Sequence, residues 1–478
     1  MLFNSIDFAI FLPIVFAVYW LMPSKYRWTV LFVASYYFYM CWNVKYVVLI
    51  LFTTVVSYLA GRLIEKTDSE VKRKLLLSFT LFSCLGVLFV FKYFNFFSES
   101  LFNLLTSMSV RVNLKTLNLL LPVGISFYTF QTLSYVIDVY RGTVKAEKNI
   151  GIFATFIAFF PQLVAGPIER TNNLLVQIRS EHTFDYSKAT YGLKLMVWGF
   201  FKKMVVADNL AVFVDRVYNN MELYEGFSLI LATVFFSVQI YCDFSGYSDI
   251  ARGAAKLFGI ELMENFRSPY FSSSIKEFWS RWHISLSTWF RDYLYIPLGG
   301  NRVGKLRHRI NLLITFLVSG LWHGASWSFV IWGGVHGLAQ IIENVLHIRP
   351  KKKNWYSKLA AGCVVFVFAA CAWVFFRAQT LSDVIYVFIC MFSGIGDPIG
   401  YLYRGFEAIG MSPQELAIAV GFYFIPLTLY DYFSTKTDVI LWVSGRKKLV
   451  RHFIYSVLVA IVVFFHAIGE VSFVYFQF

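Results

Sequence analysis

Residues 274–300 read SIKEFWSRWHISLSTWFRDYLYIPLGG, 301–309 NRVGKLRHR, and 310–337 INLLITFLVSGLWHGASWSFVIWGGVHG. The first piece mixes aromatic and polar residues, the second is basic, and the third is an apolar run interrupted by glycine and histidine. Ser274-x-x-Glu277 is a capping-box pattern, so a helix begins there. Pro297 with Gly299–Gly300 ends it near Tyr293–Ile296. Trp279, Trp282, Leu286, Trp289, Phe290 and Tyr293 then form one aromatic stripe. Arg281, Ser285, Thr288 and Asp292 form a polar stripe, and Lys276, Ser280, Ser287 and Arg291 a second. His283 lies on the border of the aromatic face, the pattern of a helix lying at a membrane surface.

The third piece has to turn back. Basic loops at 302–309 and 349–358 both belong on the cytoplasmic side, so the apolar run 310–346 goes in and returns. Its turn is expected around Ser319–Ser326, where Gly320 and Gly324 flank Trp322 and His323. At 1.5 Å per helical residue, His323 then lies roughly 20 Å from the basic loop. A lone histidine at such a depth reads either as a hydrogen-bonded core residue or as a general base, a neutral imidazole able to take a proton near pH 7. His336 is about 220° around a continuous helix from His323 and reads as structural, set among glycines where helices approach closely.

The rest of the chain fits this hairpin into a membrane. Of 478 residues 58% are hydrophobic and 20% aromatic, while 15% are charged, against about 25% charged in soluble domains. Runs long enough to cross a bilayer recur throughout, roughly ten to twelve with shorter pieces between them. Nothing is long and polar enough for a separate soluble domain, so residues 1–478 read as one all-α, polytopic membrane domain with a core at about 239–346. The net charge of +15 gathers in Arg62–Lys74, Arg302–Arg309, Arg349–Lys358 and Arg446–Arg451. That placement speaks for membrane orientation and against nucleic acid, and leaves a lesser role in attracting an anionic cofactor or lipid head group open. The N-terminal apolar run has no Lys or Arg before Lys25, so it reads as a retained span; both termini are then expected outside.

In order, Phe8–Met22, Trp28–Trp42 and Tyr46–Gly61 read as spans. Leu121–Gly142 is broken by Pro122 and Gly124, and Pro161, Gly166 and Pro167 forbid a straight helix after Ile150. Tyr191–Val206 and Phe227–Cys242 follow, with Lys202 and Lys203 expected at an interface. Asp243, Ser245, Ser248, Asp249 and Arg252 are expected at a span end. Leu359–Phe376, Leu416–Tyr432 and Phe453–Ile468 complete the spans. The six cysteines sit mostly in apolar runs as small hydrophobes. No metal-ligand set, nucleophile elbow or P-loop is present. A transporter would spread charge over several spans and often shows repeats; here polar residues gather in one segment, which favours an enzyme. A structural anchor for a secreted enzyme is a further alternative.

Five stretches resemble the membrane-bound O-acyltransferases (MBOAT), in the branch that O-acetylates alginate and related polysaccharides. They are FPQLVAGPIER (160–170), QIYCDFSGYSDIARG (239–253), FWSRWHISLSTWFRDYLYIPLGGNR (278–302), LVSGLWHGASW (317–327) and WVFFRA (373–378). Teichoic-acid D-alanyl transfer proteins share the WH-x-S-L-S and WHG elements more distantly. The resemblance implies a ring of tilted transmembrane helices with re-entrant segments around a thin core and tunnel. It implies that His323 is the active-site histidine and that His283 supports catalysis. Arg281, Ser285, Arg291, Asp292, Trp322 and Asp243 become candidates for the substrate path. It further implies a bacterial inner-membrane enzyme that takes acetyl from a cytoplasmic thioester, acetyl-CoA, for O-acetylation outside. The work would be shared with an extracytoplasmic esterase-like acetyltransferase. Direct transfer and a covalent acyl-imidazole on His323 both remain open, as do D-alanyl and peptidoglycan O-acyl transfer.

Overall fold

The computed structural model describes all residues except 111, 114–115, 348–353, 468–472 and 475–478, so half of the basic loop 349–358, residues 349–353, lies outside the described residues. Among the described residues every regular element is helical. The chain divides into two compact units, Met1–Met196 with Ile250–Met263, and Val197–Asp249 with Glu264–Phe478.

The first unit holds α1 (Ile6–Leu21), α2 (Arg27–Met40), α3 (Val47–Lys66), α4 (Glu70–Leu88), α5 (Phe94–Ser107), α6 (Ile125–Tyr140), α7 (Ile150–Ala158) and α8 (Val176–Arg179), with most of α9 (Tyr186–Phe200). Ser5 caps α1, accepting from the Phe8 amide. Phe8, Phe11, Leu12, Val15 and Tyr19 of α1 face inward, while Ile6, Ile10 and Ile14 stand 79%, 58% and 57% exposed. Bare isoleucines one turn apart suit a hydrocarbon solvent. Gly124, at φ +76°, starts α6 late; a side chain there would also meet the Leu163 carbonyl at 2.5 Å. After α7 the chain turns irregularly through Pro161 and Pro167, as the prolines require. That backbone is buried but partnered: the Phe160 amide donates to Ser35 Oγ at 3.1 Å, and Gln162 Nε2 donates to Gln131 Oε1 at 2.8 Å. Glu169, fully buried, accepts from Asn173 Nδ2 at 2.7 Å and from the Met263 amide.

The second unit contains α10 (Asp208–Tyr218), most of α11 (Phe227–Leu257), α12 (Ile275–Arg281), α13 (Ile284–Phe290), α14 (Lys305–His323), α15 (Trp327–Leu346) and α16 (Trp355–Arg377). It continues with α17 (Leu381–Cys390), α18 (Pro398–Ala408), α19 (Pro413–Ile418), α20 (Ile425–Ser434), α21 (Val439–Ser444) and α22 (Lys448–Phe465). Its core centres on three fully buried indoles: Trp373 lies 4.9 Å from Trp282 and 5.6 Å from Trp332, ring centre to centre.

Three sequence expectations change. Seven helices among the described residues are long and apolar enough to cross a membrane, fewer than the ten to twelve runs suggested. The shortfall arises because α1 and α2 have 16 and 14 residues and α14 opens on Lys305, Arg307 and Arg309. Next, α11 runs unbroken for 31 residues, so Asp243, Ser245, Ser248 and Asp249 lie within it and not at its end. Finally, Lys202 and Lys203 are buried, on a π-helical turn Phe201–Ala207. Lys202 pairs with Asp249 at 2.6 Å, and Lys203 with Asp208 at 2.8 Å and Asp243 at 2.7 Å. Carboxylates from α10 and α11 make that burial tolerable. α22 has no buried residue, and its Leu449 and Phe453 are 86% and 70% exposed.

Candidate active site

The turn expected near Ser319–Ser326 is where α14 ends, at His323, and α15 begins after Ser326, whose Oγ accepts from the Ser328 amide at 3.2 Å. The two helices touch backbone to backbone. A Cβ on Gly320 would lie 2.2 Å from the Phe329 carbonyl oxygen, and one on Gly333 2.2 Å from that of Phe316. Close approach of this kind needs glycine. It brings the end of α14 against α15, so the His323 ring stands edge-on to Trp332 at 5.0 Å and near Phe376 at 5.5 Å. His323 is 3% exposed. The carbonyl ends of a helix favour positive charge, which suits a histidine that gains a proton during a reaction.

The predicted helix 274–296 starts as expected, with Ser274 Oγ accepting from the Glu277 amide at 3.0 Å. It is not continuous, because it breaks at Trp282–His283 into α12 and α13. A segment not adjacent in sequence causes the break. The first amides of α13 need acceptors, and Asn265 supplies two: its carbonyl oxygen to Ile284 N at 3.0 Å and its Oδ1 to Ser285 N at 3.2 Å. His283 absorbs the turn in a left-handed conformation, φ +43° and ψ 54°, which an L-residue with a side chain adopts at a cost. The turn aims the imidazole inward. It lies 4.6 Å from Phe244, 5.9 Å from Trp322 and 6.2 Å from His323, centre to centre. Full burial pushes the His283 imidazole down to about 3, so near pH 7 it is a neutral ring offering one donor and one acceptor.

Behind His323 a second layer continues. The Trp332 indole also meets His336, one turn on along α15, at 4.9 Å. His336 is fully buried, and its Nδ1 accepts from Trp279 Nε1 at 3.2 Å. Trp279, on α12, forms part of a cleft of about 500 Å³ whose walls include Lys276, Arg291, His308, Phe316 and Ser319. Glu343 on α15 ties this region together, its Oε2 accepting from the Ile275 and Lys276 amides at 2.6 and 3.3 Å. A carboxylate there also meets the positive end of α12.

Of the residues singled out from sequence, His283, His323 and Trp322 are brought together. Ser285 is buried beside Asn265, two residues on from His283. Arg281 pairs with Glu277 at 2.6 Å and Arg291 with Asp292 at 2.8 Å, both partly exposed. Asp243 belongs to the buried lysine network, and its Oδ2 accepts from the Val474 amide at 2.7 Å. Asn265, Trp332 and Glu343 were missed, since each acts through partners distant in sequence; only the position of Trp332 one turn before His336 hinted at a shared face.

Comparison with known proteins shows the family. The family model described as MBOAT, membrane-bound O-acyltransferase family, matches residues 149–381. A probable alginate O-acetylase of Azotobacter vinelandii is 42% identical over 398 residues, covering 82% of this chain and 78% of the relative. A probable alginate O-acetylase of Pseudomonas putida is 40% identical over 425 residues, 88% of this chain and 86% of the relative. A peptidoglycan O-acetyltransferase of Helicobacter pylori is 36% identical over 422 residues, 81% and 79%. Likeness of that extent, on a chain with seven membrane-length apolar helices, makes this a multi-pass membrane protein and an acyltransferase, a member of the membrane-bound O-acyltransferase family.

Proposed function

We propose that the chain transfers acetyl from a cytoplasmic thioester, acetyl-CoA, for O-acetylation of an extracytoplasmic polysaccharide of the alginate kind. The observation that carries this reading is the meeting of His323 and His283 in one buried cluster of aromatic rings, 6.2 Å apart, in a chain of this family. His323 takes the proton from an acceptor hydroxyl as the oxygen attacks the thioester carbonyl. The new C–O bond forms, the C–S bond breaks, and the proton passes from His323 to the departing thiolate. Neutral His283 has one donor with which to hold the carbonyl oxygen and one acceptor with which to orient the hydroxyl. The cleft beside Trp279, with Lys276 and Arg291 on its walls, suits a phosphate-bearing donor approaching from the cytoplasmic side. The relatives named as alginate O-acetylases support a polysaccharide acceptor. The relative named for peptidoglycan, at 36% identity, makes a peptidoglycan acceptor the alternative to test. An extracytoplasmic acetyltransferase partner completes transfer, and the protein sits in a bacterial inner membrane.

The test is alkali-labile acetyl on surface polysaccharide and on purified peptidoglycan, in cells carrying wild type or His323→Ala at matched membrane levels. Loss of polysaccharide acetyl by about a hundredfold or more is expected for removal of a general base. Unchanged acetyl in the variant would overturn the assignment of His323. Acetyl lost from peptidoglycan alone would replace the proposed acceptor.

A further inference from the structure

His336 has no part in the chemistry above, yet it is the third histidine of the same cluster. Its ring is fully buried and enclosed by aromatic neighbours: Trp332 at 4.9 Å, Trp279 at 5.1 Å, Phe368 at 5.2 Å and Phe278 stacked nearly parallel at 6.2 Å. An apolar ring would fill that space without giving up hydration. The two nitrogens are therefore a cost that simple packing does not require. One of them is used. Trp279 Nε1–H donates to Nδ1 at 3.2 Å, which places the proton of the neutral ring on Nε2. Nε2 has no hydrogen-bond partner among the described residues.

The geometry links this histidine to His323 through one side chain. Trp332 stands between the two imidazoles, 5.0 Å from His323 at 85° and 4.9 Å from His336 at 71°. Trp332 and His336 lie one turn apart on α15, so they move as one surface. The Trp279 bond anchors that surface to α12, the helix that ends beside His283.

We propose that His336 is a positioning residue for His323: held by Trp279 and packed on Trp332, it fixes the indole against which the His323 ring stands. The directional bond to Nδ1 is the essential feature, and ring volume is secondary. This rests on the reading of His323 as the base. Small displacements of a catalytic group cost large factors in rate, so a loosened Trp332 is expressed as lost transfer with the fold intact.

The experiment compares His336→Asn with His336→Phe in the full-length protein, in cells, at matched membrane levels. Asparagine offers an acceptor oxygen near the Nδ1 position but leaves space; phenylalanine fills the aromatic cage but offers no acceptor. Polysaccharide acetyl is read beside the melting midpoint of the detergent-extracted protein. The expected order is Asn above Phe, with Phe at least about tenfold below wild type and its melting midpoint close to wild type. A packing role predicts the reverse order, and Phe equal to or above Asn overturns the proposal. Should either variant fail to accumulate, Trp279→Phe removes the N–H donor together with part of the ring: reduced acetyl at an unchanged melting midpoint and an unchanged KM for acetyl-CoA supports the bond, and wild-type acetyl overturns it. His323→Ala is run in parallel. Acetyl retained there sinks the proposed function itself, whereas acetyl lost there but retained in His336→Phe sinks only the positioning role.

Discussion

At His283 the main chain accepts a left-handed turn that a glycine would take freely, and it does so with a buried imidazole attached. Strain of that kind costs about 1–3 kcal/mol and persists only where surrounding contacts enforce it; here Asn265 enforces it. Sequence placed His283 beside the aromatic face but gave no sign of the turn, because nothing in RWHIS breaks a helix. His323 was more legible, since two glycines around a Trp–His pair within an apolar run have few other uses. Glu169 shows a different residue-scale property. Burial raises its carboxyl to about 7 from 4.5 in the unfolded chain. A raised carboxyl contributes stability that is complete below pH 4.5 and is lost as pH rises through 7. The loss amounts to about 3 kcal/mol at most. Melting midpoints of the wild type should therefore fall between pH 5 and 8, and Glu169→Gln should flatten that slope. An equally steep slope in the variant would remove Glu169 as its source.

The α14–α15 hairpin is the element that sets the site. Its helices meet where Gly320 and Gly333 leave no room for a methyl group. Gly320→Val should part them, lowering stability by about 1–3 kcal/mol and reducing acetyl transfer more than a comparable change far from the site. Thermal melts and polysaccharide acetyl measured on the same membranes check this, and a variant of normal stability and activity would contradict it. The hairpin was readable because basic loops fixed both ends and glycines fixed the turn. The α12–α13 break was not, since its cause sits at Asn265, outside the helix. Glu343 was hidden for a like reason: a carboxylate late in one helix caps the start of another.

At the scale of the whole molecule, the expected all-helical, membrane-spanning plan holds among the described residues, while the fate of the charges differs. Apolar run length marks candidates for crossing, but tertiary structure decides which runs become long straight helices. Lys202 and Lys203 illustrate this, because a double lysine near a span end reads as a membrane anchor until α10 and α11 bring aspartates to it. Lys203→Met should leave Asp208 and Asp243 buried without their cation, at a cost of about 3–5 kcal/mol. Reduced accumulation in membranes, measured by quantitative blotting, is the expected outcome; normal accumulation would show the network to be dispensable.

α22 has no fully buried residue, although one side of it packs on the core through Leu458, Ile461 and Phe465. Its 18 residues rise to about 27 Å, a little short of a hydrocarbon layer of about 30 Å. The protein thus carries a gauge of bilayer thickness: thicker membranes must thin locally around α22, so lipid chain length becomes a variable of the enzyme's environment as real as pH.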